Sequence, residues 1–106
     1  IGDFTKLDLR VGKIIEVREH PNAEKLFVLK VDLGEDEPRT ICAGLRGHYE
    51  SEELQGMEAI FVANLEPRIL RGVESNGMIL AACSDDKSKV VILVPENGIK
   101  VGSKVS

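Results

Sequence analysis

An all-β fold, a small curved barrel with short helices, is what this sequence of 106 residues predicts. Three observations carry the expectation. Apolar runs are short and several alternate with polar residues, Gly, Pro, Asn and Asp clusters interrupt them at close intervals, and one capped helical signal falls between the third and fourth runs. The length suits one domain, near the common size of about 100–150 residues, so residues 1–106 are read as a single unit.

In chain order, Asp3 is placed to cap one helical turn running through Leu7. Leu9, Val11, Ile15 and Val17 then share a parity, as a long strand with one buried face requires, and Gly12 marks a bulge or sharp curl within it. His20-Pro21-Asn22-Ala23 ends that strand, because proline lacks the donor a ladder needs. Phe27, Leu29, Val31 and Leu33 alternate with Val28, Lys30 and Asp32 in a half-buried second strand. The acidic turn at 34–38 leads into residues 40–43, which predicts a hairpin. Ser51 is positioned to cap a short helix, whose Glu52 and Glu53 suit its positive start.

Residues 57–63 and 78–83 are apolar on both parities, so both strands are expected to be covered on both faces. The polar stretch between them, 64–78, is long for so compact a domain and reads as a functional loop. Residues 90–94 form a last continuous apolar strand before Pro95. Five or six curved strands with a helix between the third and fourth match the order of the five-stranded Greek-key barrel, the OB-fold. An immunoglobulin-type sandwich is disfavoured, since such domains usually bury a Trp and this chain has none.

Composition removes several function classes. With 14 Lys and Arg against 18 Asp and Glu the net charge is −4, and the pI near 5.2 is far from the value above about 9 typical of a nucleic-acid-binding domain. Any site for a polyanion is therefore a local patch. Three Phe, one Tyr and no Trp are too few rings for a platform that stacks base after base. No apolar run approaches the roughly 18 residues of a membrane span. Cys42 and Cys83 lie in apolar stretches without a second Cys at metal or redox spacing, and are expected to be buried free thiols. No charged-then-apolar leader precedes the first strand, so the expected location is cytoplasmic; beginning at Ile1 rather than Met, the chain is expected to be part of a longer one.

Catalytic material is poor. His20 and His48 have no carboxylate or Cys at ligand spacing, the acids of 35–37 and 50–53 sit in turn and helix-start contexts, and Gly44 and Gly47 introduce no phosphate-binding loop. Neither a metal nor a cofactor is expected. The 64–78 stretch stands apart, with Arg68 and Arg71 near Asn64 and Ser75: guanidinium forks fit phosphate oxygens, and Asn and Ser suit ribose or base edges. A turn with two solvated arginines fits the same residues.

The motifs Asp8-Leu9-Arg10-Val11-Gly12-Lys13-Ile14, His20-Pro21-Asn22-Ala23-Glu24-Lys25-Leu26, Ala43-Gly44, and Asn64-Leu65-x-Pro67 followed by Leu70-x-Gly72-x-x-Ser75-x-Gly77-Met78 resemble the tRNA-binding domain family. That family includes the appended C-terminal or β-subunit domain of methionyl-tRNA synthetases, a free-standing structure-specific tRNA-binding protein, and endothelial-monocyte-activating-polypeptide-like domains. The synthetase form is the nearest in pattern. The resemblance implies an OB-fold that binds tRNA by shape, without catalysis, beside the catalytic body of a methionyl-tRNA synthetase, and commonly as a homodimer. It carries the RNA-contact role onto Asn64, Arg68, Arg71, Ser75 and Met78. Lys25, Lys30 and Arg39 are expected to add phosphate contacts, while His20 and Asn22 suit either turn formation or RNA. A secretion-chaperone-like branch of the same barrel, binding peptides in an apolar groove, is the alternative.

A homodimer is also expected from the residues themselves. Residues 90–94 are apolar on both faces, with Ile99, Val101 and Val105 following, and only one face can meet its own barrel. Leu65, Ile60 and Ile79 are candidates to join that surface.

Overall fold

The computed structural model describes residues 3–106, so the expectation attached to Ile1 lies outside the described residues. A 3-10 turn at Phe4–Lys6 follows Asp3, whose side chain makes no capping hydrogen bond. The strands are β1 (Leu9–Glu19), β2 (Phe27–Asp32), β3 (Arg39–Ala43), β4 (Glu58–Val62), β5 (Arg68–Leu70), β6 (Val73–Ser75), β7 (Met78–Ile79), β8 (Ala81–Cys83), β9 (Val90–Ile92) and β10 (Lys104–Val105), and among the described residues the one α-helix, α1, is Ser51–Leu54. The main sheet is antiparallel in the order β3-β2-β1-β4-β7, with β10 on the free edge of β1. β7 packs back against β3, closing the sheet into an OB-like barrel, the expected all-β fold.

The long first strand serves two partners because it bends. Its first half pairs with β4, from Leu9 opposite Val62 to Lys13 opposite Glu58, and its second half pairs with β2, with the register shifting between Ile14 and Glu16. That bulge corrects the expected parity. Ile14 is fully buried in the core, on the same face as Gly12, whereas Ile15 is exposed at the bulge, and the extra residue turns the later side chains over, which brings Val17 against the core. Leu9 and Val11 are buried on the opposite face, beside Val62 and Ile60 across the ladder. The bulge is not at Gly12, whose task is space: a Cβ there would lie 2.6 Å from Leu33 and 2.7 Å from Phe61.

The core joins Ile14, Phe27, Leu29, Val31, Leu33, Ile41, Phe61 and Ile92, the inward alternation expected of β2. The β2–β3 hairpin is present as expected. The helix begins one residue earlier than the Ser51 cap suggested. Glu50 is its N-cap, with its amide donating to Glu53 Oε1 at 2.8 Å, because a Glu three residues on completes a reciprocal cap that Ser51 could not.

The fifth barrel strand is interrupted at Leu80, whose amide still donates to Ile60 at 3.0 Å. Its outer face is open rather than covered: Met78 and Cys83 are exposed, so Cys83 departs from the expected buried thiol while Cys42 conforms to it. In β9 and beyond, Ile92 is buried and Val91, Leu93 and Val94 face water.

Candidate nucleic-acid interface

The stretch expected to be a loop is mostly a β-hairpin. Leu70 pairs with Val73 across a two-residue turn, Arg71-Gly72, in which both φ angles are positive, 51° and 91°. Two left-handed residues give the twist that matches the flanking strands, and Gly72 takes one of them without strain. This hairpin lies along β3, at the strand's free edge, and bonds its backbone. The Ser75 hydroxyl accepts the Cys42 amide at 2.9 Å, and the Asn76 amide donates to Thr40 at 2.8 Å.

At its other end the hairpin is held by the 20–26 turn. His20 is 4% exposed, its Nδ1 accepts the Asn22 amide at 2.9 Å, and its Nε2 donates to the Leu70 carbonyl at 2.8 Å. Asn22 Nδ2 donates to the Arg71 carbonyl at 3.3 Å. His20 and Asn22 therefore build the turn and moor the hairpin to it. Asn22, Ala23, Glu24, Lys25 and Arg71 line a cleft of about 460 Å³, so Lys25 and Arg71, distant in sequence, meet at one opening.

Arg68 and Met78 share a second, smaller cleft of about 120 Å³ with Leu65, Glu66 and Leu70. Met78 is 47% exposed, a large apolar side chain left in water beside a guanidinium. Arg68, Arg71, Lys25 and Lys30 form no ion pair among the described residues, where the recorded pairs are Lys6–Asp3, Arg10–Asp8, Arg39–Glu35 and Arg46–Glu19. An unpaired cation can accept a phosphate without first giving up a partner.

The remaining expected residues have work inside the fold. Ser75 lines the Arg68 cleft but is only 6% exposed, with its oxygen engaged by Cys42 as above. Asn64 Oδ1 accepts the Asp8 amide at 2.8 Å and Nδ2 donates to the Lys6 carbonyl at 2.6 Å, fastening the start of β1. Arg39 grips both oxygens of Glu35 at 2.8 Å and donates to the Ala63 carbonyl, and the hydrogen bond to Glu35 raises its pKa above the ordinary guanidinium value. Lys30 lies on the outward face of β2, opposite Glu16 and Thr40, away from both clefts.

Arg18 was not singled out by the sequence reading. It stands opposite Val28, which pairs in turn with Cys42, and with Gly72 and Val73 it lines a broad polar hollow of about 970 Å³. Its position depends on the β1 bulge, which no local sequence signal located. The acids 35–37 and Glu74 line the same hollow, so among these three openings the cationic excess lies at the cleft of Lys25 and Arg71, where Glu24 is the one acid. Among the described residues, no group of three or more His, Cys, Asp or Glu is arranged to hold a metal ion, and no helix is long and apolar enough to cross a membrane.

Comparison with known proteins follows the same lines. Residues 9–104 match the family described as "Putative tRNA binding domain". The methionine–tRNA ligase of Pyrococcus horikoshii is 60% identical over 103 residues, covering 97% of this chain and 14% of that protein. The corresponding ligase of Thermococcus kodakarensis is 56% identical with the same coverage, so the chain spans about 14% of the length of these curated relatives. Among solved structures, a MetRS-related protein from Pyrococcus horikoshii superposes with a TM-score of 0.91 at 36% identity, over 99% of this chain and 94% of that one. The chaperone CsaA of Bacillus anthracis gives 0.87 at 30% identity, over 99% and 95%. The barrel, the moored hairpin and a match along nearly the whole sequence agree, and the chain belongs to the tRNA-binding domain family.

Proposed function

We propose that this domain binds folded tRNA by shape and by phosphate contacts, performs no chemistry itself, and serves as the appended or β-subunit tRNA-binding domain of a cytoplasmic methionyl-tRNA synthetase. The observation that carries the reading is the convergence of Arg71 and Lys25 on one cleft, with Arg68 beside exposed Met78 in the next. In a chain of net charge −4, unpaired cations gathered on one hairpin favour a polyanion of defined shape over random RNA, which the acidic remainder repels. Relatives named methionine–tRNA ligase supply the parent. Tethering to a catalytic body makes a weak site effective by raising local concentration.

In this reading Arg68, Arg71 and Lys25 neutralise phosphates, with Lys30 adding long-range attraction. Asn64, Ser75 and Arg39 contribute by fixing the segments on which those cations stand. The apolar surface of Val91, Leu93, Val94 and Ile99 is assigned to a second copy of the chain, since a patch of this kind in water is costly and a symmetric partner covers it. Leu65 is also exposed, whereas Ile79 is buried in its own barrel and takes no part.

Peptide binding is the second reading, favoured by the likeness to CsaA. Titration of folded tRNA, unfolded tRNA and duplex DNA at two salt concentrations separates the two. Preference for folded tRNA that survives added salt supports the tRNA reading. Equal affinity for all three polyanions, or none for any, overturns it.

A further inference from the structure

A third groove, of about 420 Å³, adjoins the Arg68 cleft, with Cys42 and Met78 lining both. Its volume falls in the range of small-molecule sites, about 300–1,000 Å³. It runs between the end of β3 and strands β7 to β9, with His48, Met78, Ala81, Cys83, Lys87 and Val90 along it. Among the described residues no Asp or Glu lines this groove, an unusual absence in so acidic a chain. The floor is apolar and the rim carries His48 and Lys87, both exposed and both outside the recorded ion pairs.

The turn carrying Lys87 is built to leave that lysine unpaired. Lys87 has a φ of 61°, and Arg71 is the other non-glycine residue with a positive φ among those described. One carboxylate oxygen of neighbouring Asp86, Oδ1, is held within the surface turn, accepting the hydroxyls of Ser84 and Ser88 at 2.8 Å and the Ser88 amide at 3.0 Å. Asp85 does not line the groove. Asp86 Oδ1 is thus tied into its own turn, and Lys87 is in none of the ion pairs found among the described residues, so its ammonium is open to an incoming anion.

We propose that this groove takes unpaired nucleotides of the bound RNA, bases lying on Met78 and Val90 and backbone phosphates meeting Arg68 at one end and Lys87 at the other. The inference rests on the hairpin's binding RNA. A duplex offers its exterior as phosphate and ribose, with bases stacked inside, so it cannot cover an apolar floor; splayed bases can. A groove with no acid in its lining and Lys87 on its rim selects an anionic chain with apolar faces, a description that fits single-stranded RNA.

The test titrates a labelled single-stranded hexaribonucleotide, a short blunt RNA duplex, folded tRNA and an acidic peptide against the unaltered chain and the variants Lys87→Ala, Lys87→Arg, Met78→Ala and Arg68→Ala, at two salt concentrations. Met78→Ala is expected to weaken hexamer binding about fivefold, the low end for one base contact, and Lys87→Ala to weaken it about as much through a lost phosphate contact. Lys87→Ala also lowers the single-strand salt slope by about 0.7, Lys87→Arg restores both, and duplex binding is unchanged. Because Lys87 is exposed, its variants test the groove even if Met78→Ala disturbs packing. Hexamer binding indifferent to Lys87→Ala, while Arg68→Ala weakens tRNA, overturns the groove and leaves the hairpin reading standing. Indifference of tRNA binding to Arg68→Ala as well overturns both. Lys87-dependent binding of an acidic peptide, with no hexamer binding, assigns the groove to protein and overturns the proposal.

Discussion

His20 Nε2 donates to the carbonyl oxygen of Leu70 across 2.8 Å, joining the 20–26 turn to the β5–β6 hairpin. The Asn22 amide donates to Nδ1 at 2.9 Å, which leaves the ring proton on Nε2 and fixes the tautomer. One buried ring thereby sets how Lys25 and Arg71 stand relative to each other. His20→Ala deletes both bonds and leaves polar backbone without its partner, at an expected cost of about 1–3 kcal/mol. Urea unfolding should show the lower midpoint. Binding to tRNA should weaken too, yet with an unchanged salt slope, because no phosphate contact is removed. A reduced slope would mean that the loss of His20 also takes a phosphate contact of Lys25 or Arg71 with it.

Arg71 allows binding and stability to be separated. Arg71→Ala and Arg71→Gly both remove a cation, and each should lower the slope of log affinity against log salt by about 0.7–0.9. They differ in the backbone. Left-handed φ at a non-glycine residue costs about 1–3 kcal/mol, and glycine returns about 0.5–1 kcal/mol of that in lost chain entropy, so Arg71→Gly should raise stability by about 1 kcal/mol while binding falls. Thermal melts and anisotropy titrations on the same samples measure both. Unaltered affinity and slope in Arg71→Gly would remove the hairpin tip from the interface.

Alternation in β2, the proline break after β1 and the acidic hairpin turn are local signals, and the structure contains the elements they predict. What local pattern could not carry was register. The bulge near Ile15 brings Val17 back against the core and, with it, sets the side of the strand on which Arg18 emerges. The hairpin at 68–75 was hidden because its turn uses Arg71 where Asn or Gly would announce a positive φ. The site divided for a related reason. Arg68, Arg71 and Lys25 are recognisable as cations, but whether a cation is free depends on its neighbours, and nothing near Arg39 in sequence indicates that it also holds the carbonyl of Ala63.

Glu35 supplies a pH-dependent test of that clamp. Its carboxylate receives two hydrogen bonds from Arg39, each 2.8 Å, and the hydrogen bonding to Arg39 lowers its pKa from the ordinary 4.5. A depressed folded-state pKa stabilises above the unfolded value and loses that contribution as pH falls through the folded one. Glu35 is 45% exposed, so solvent screening keeps the contribution within the 0–1 kcal/mol typical of about any surface pair. Carboxyl NMR titration should find Glu35 protonating below pH 4.5 in the unaltered chain and moving upward in Arg39→Ala. An unmoved midpoint would mean that the pair is not populated in solution.

The proposed dimer draws on β9 and the residues after it. Ile92 is 5% exposed and belongs to the barrel core, while Leu93 next to it is 45% exposed. Successive strand residues point to opposite faces, so a charge placed at each position should act differently. Ile92→Glu buries an unpaired carboxylate and should unfold the domain. Leu93→Glu leaves the barrel intact and places like charges face to face across a symmetric interface, so light scattering should report half the mass with an unchanged circular dichroism spectrum. Weaker tRNA binding by this monomer would follow if both copies hold one RNA, since the second contact gains from the first. A monomeric mass for the unaltered chain at micromolar concentration removes the second copy from the account, and the Val91, Leu93 and Val94 surface would then need a different cover.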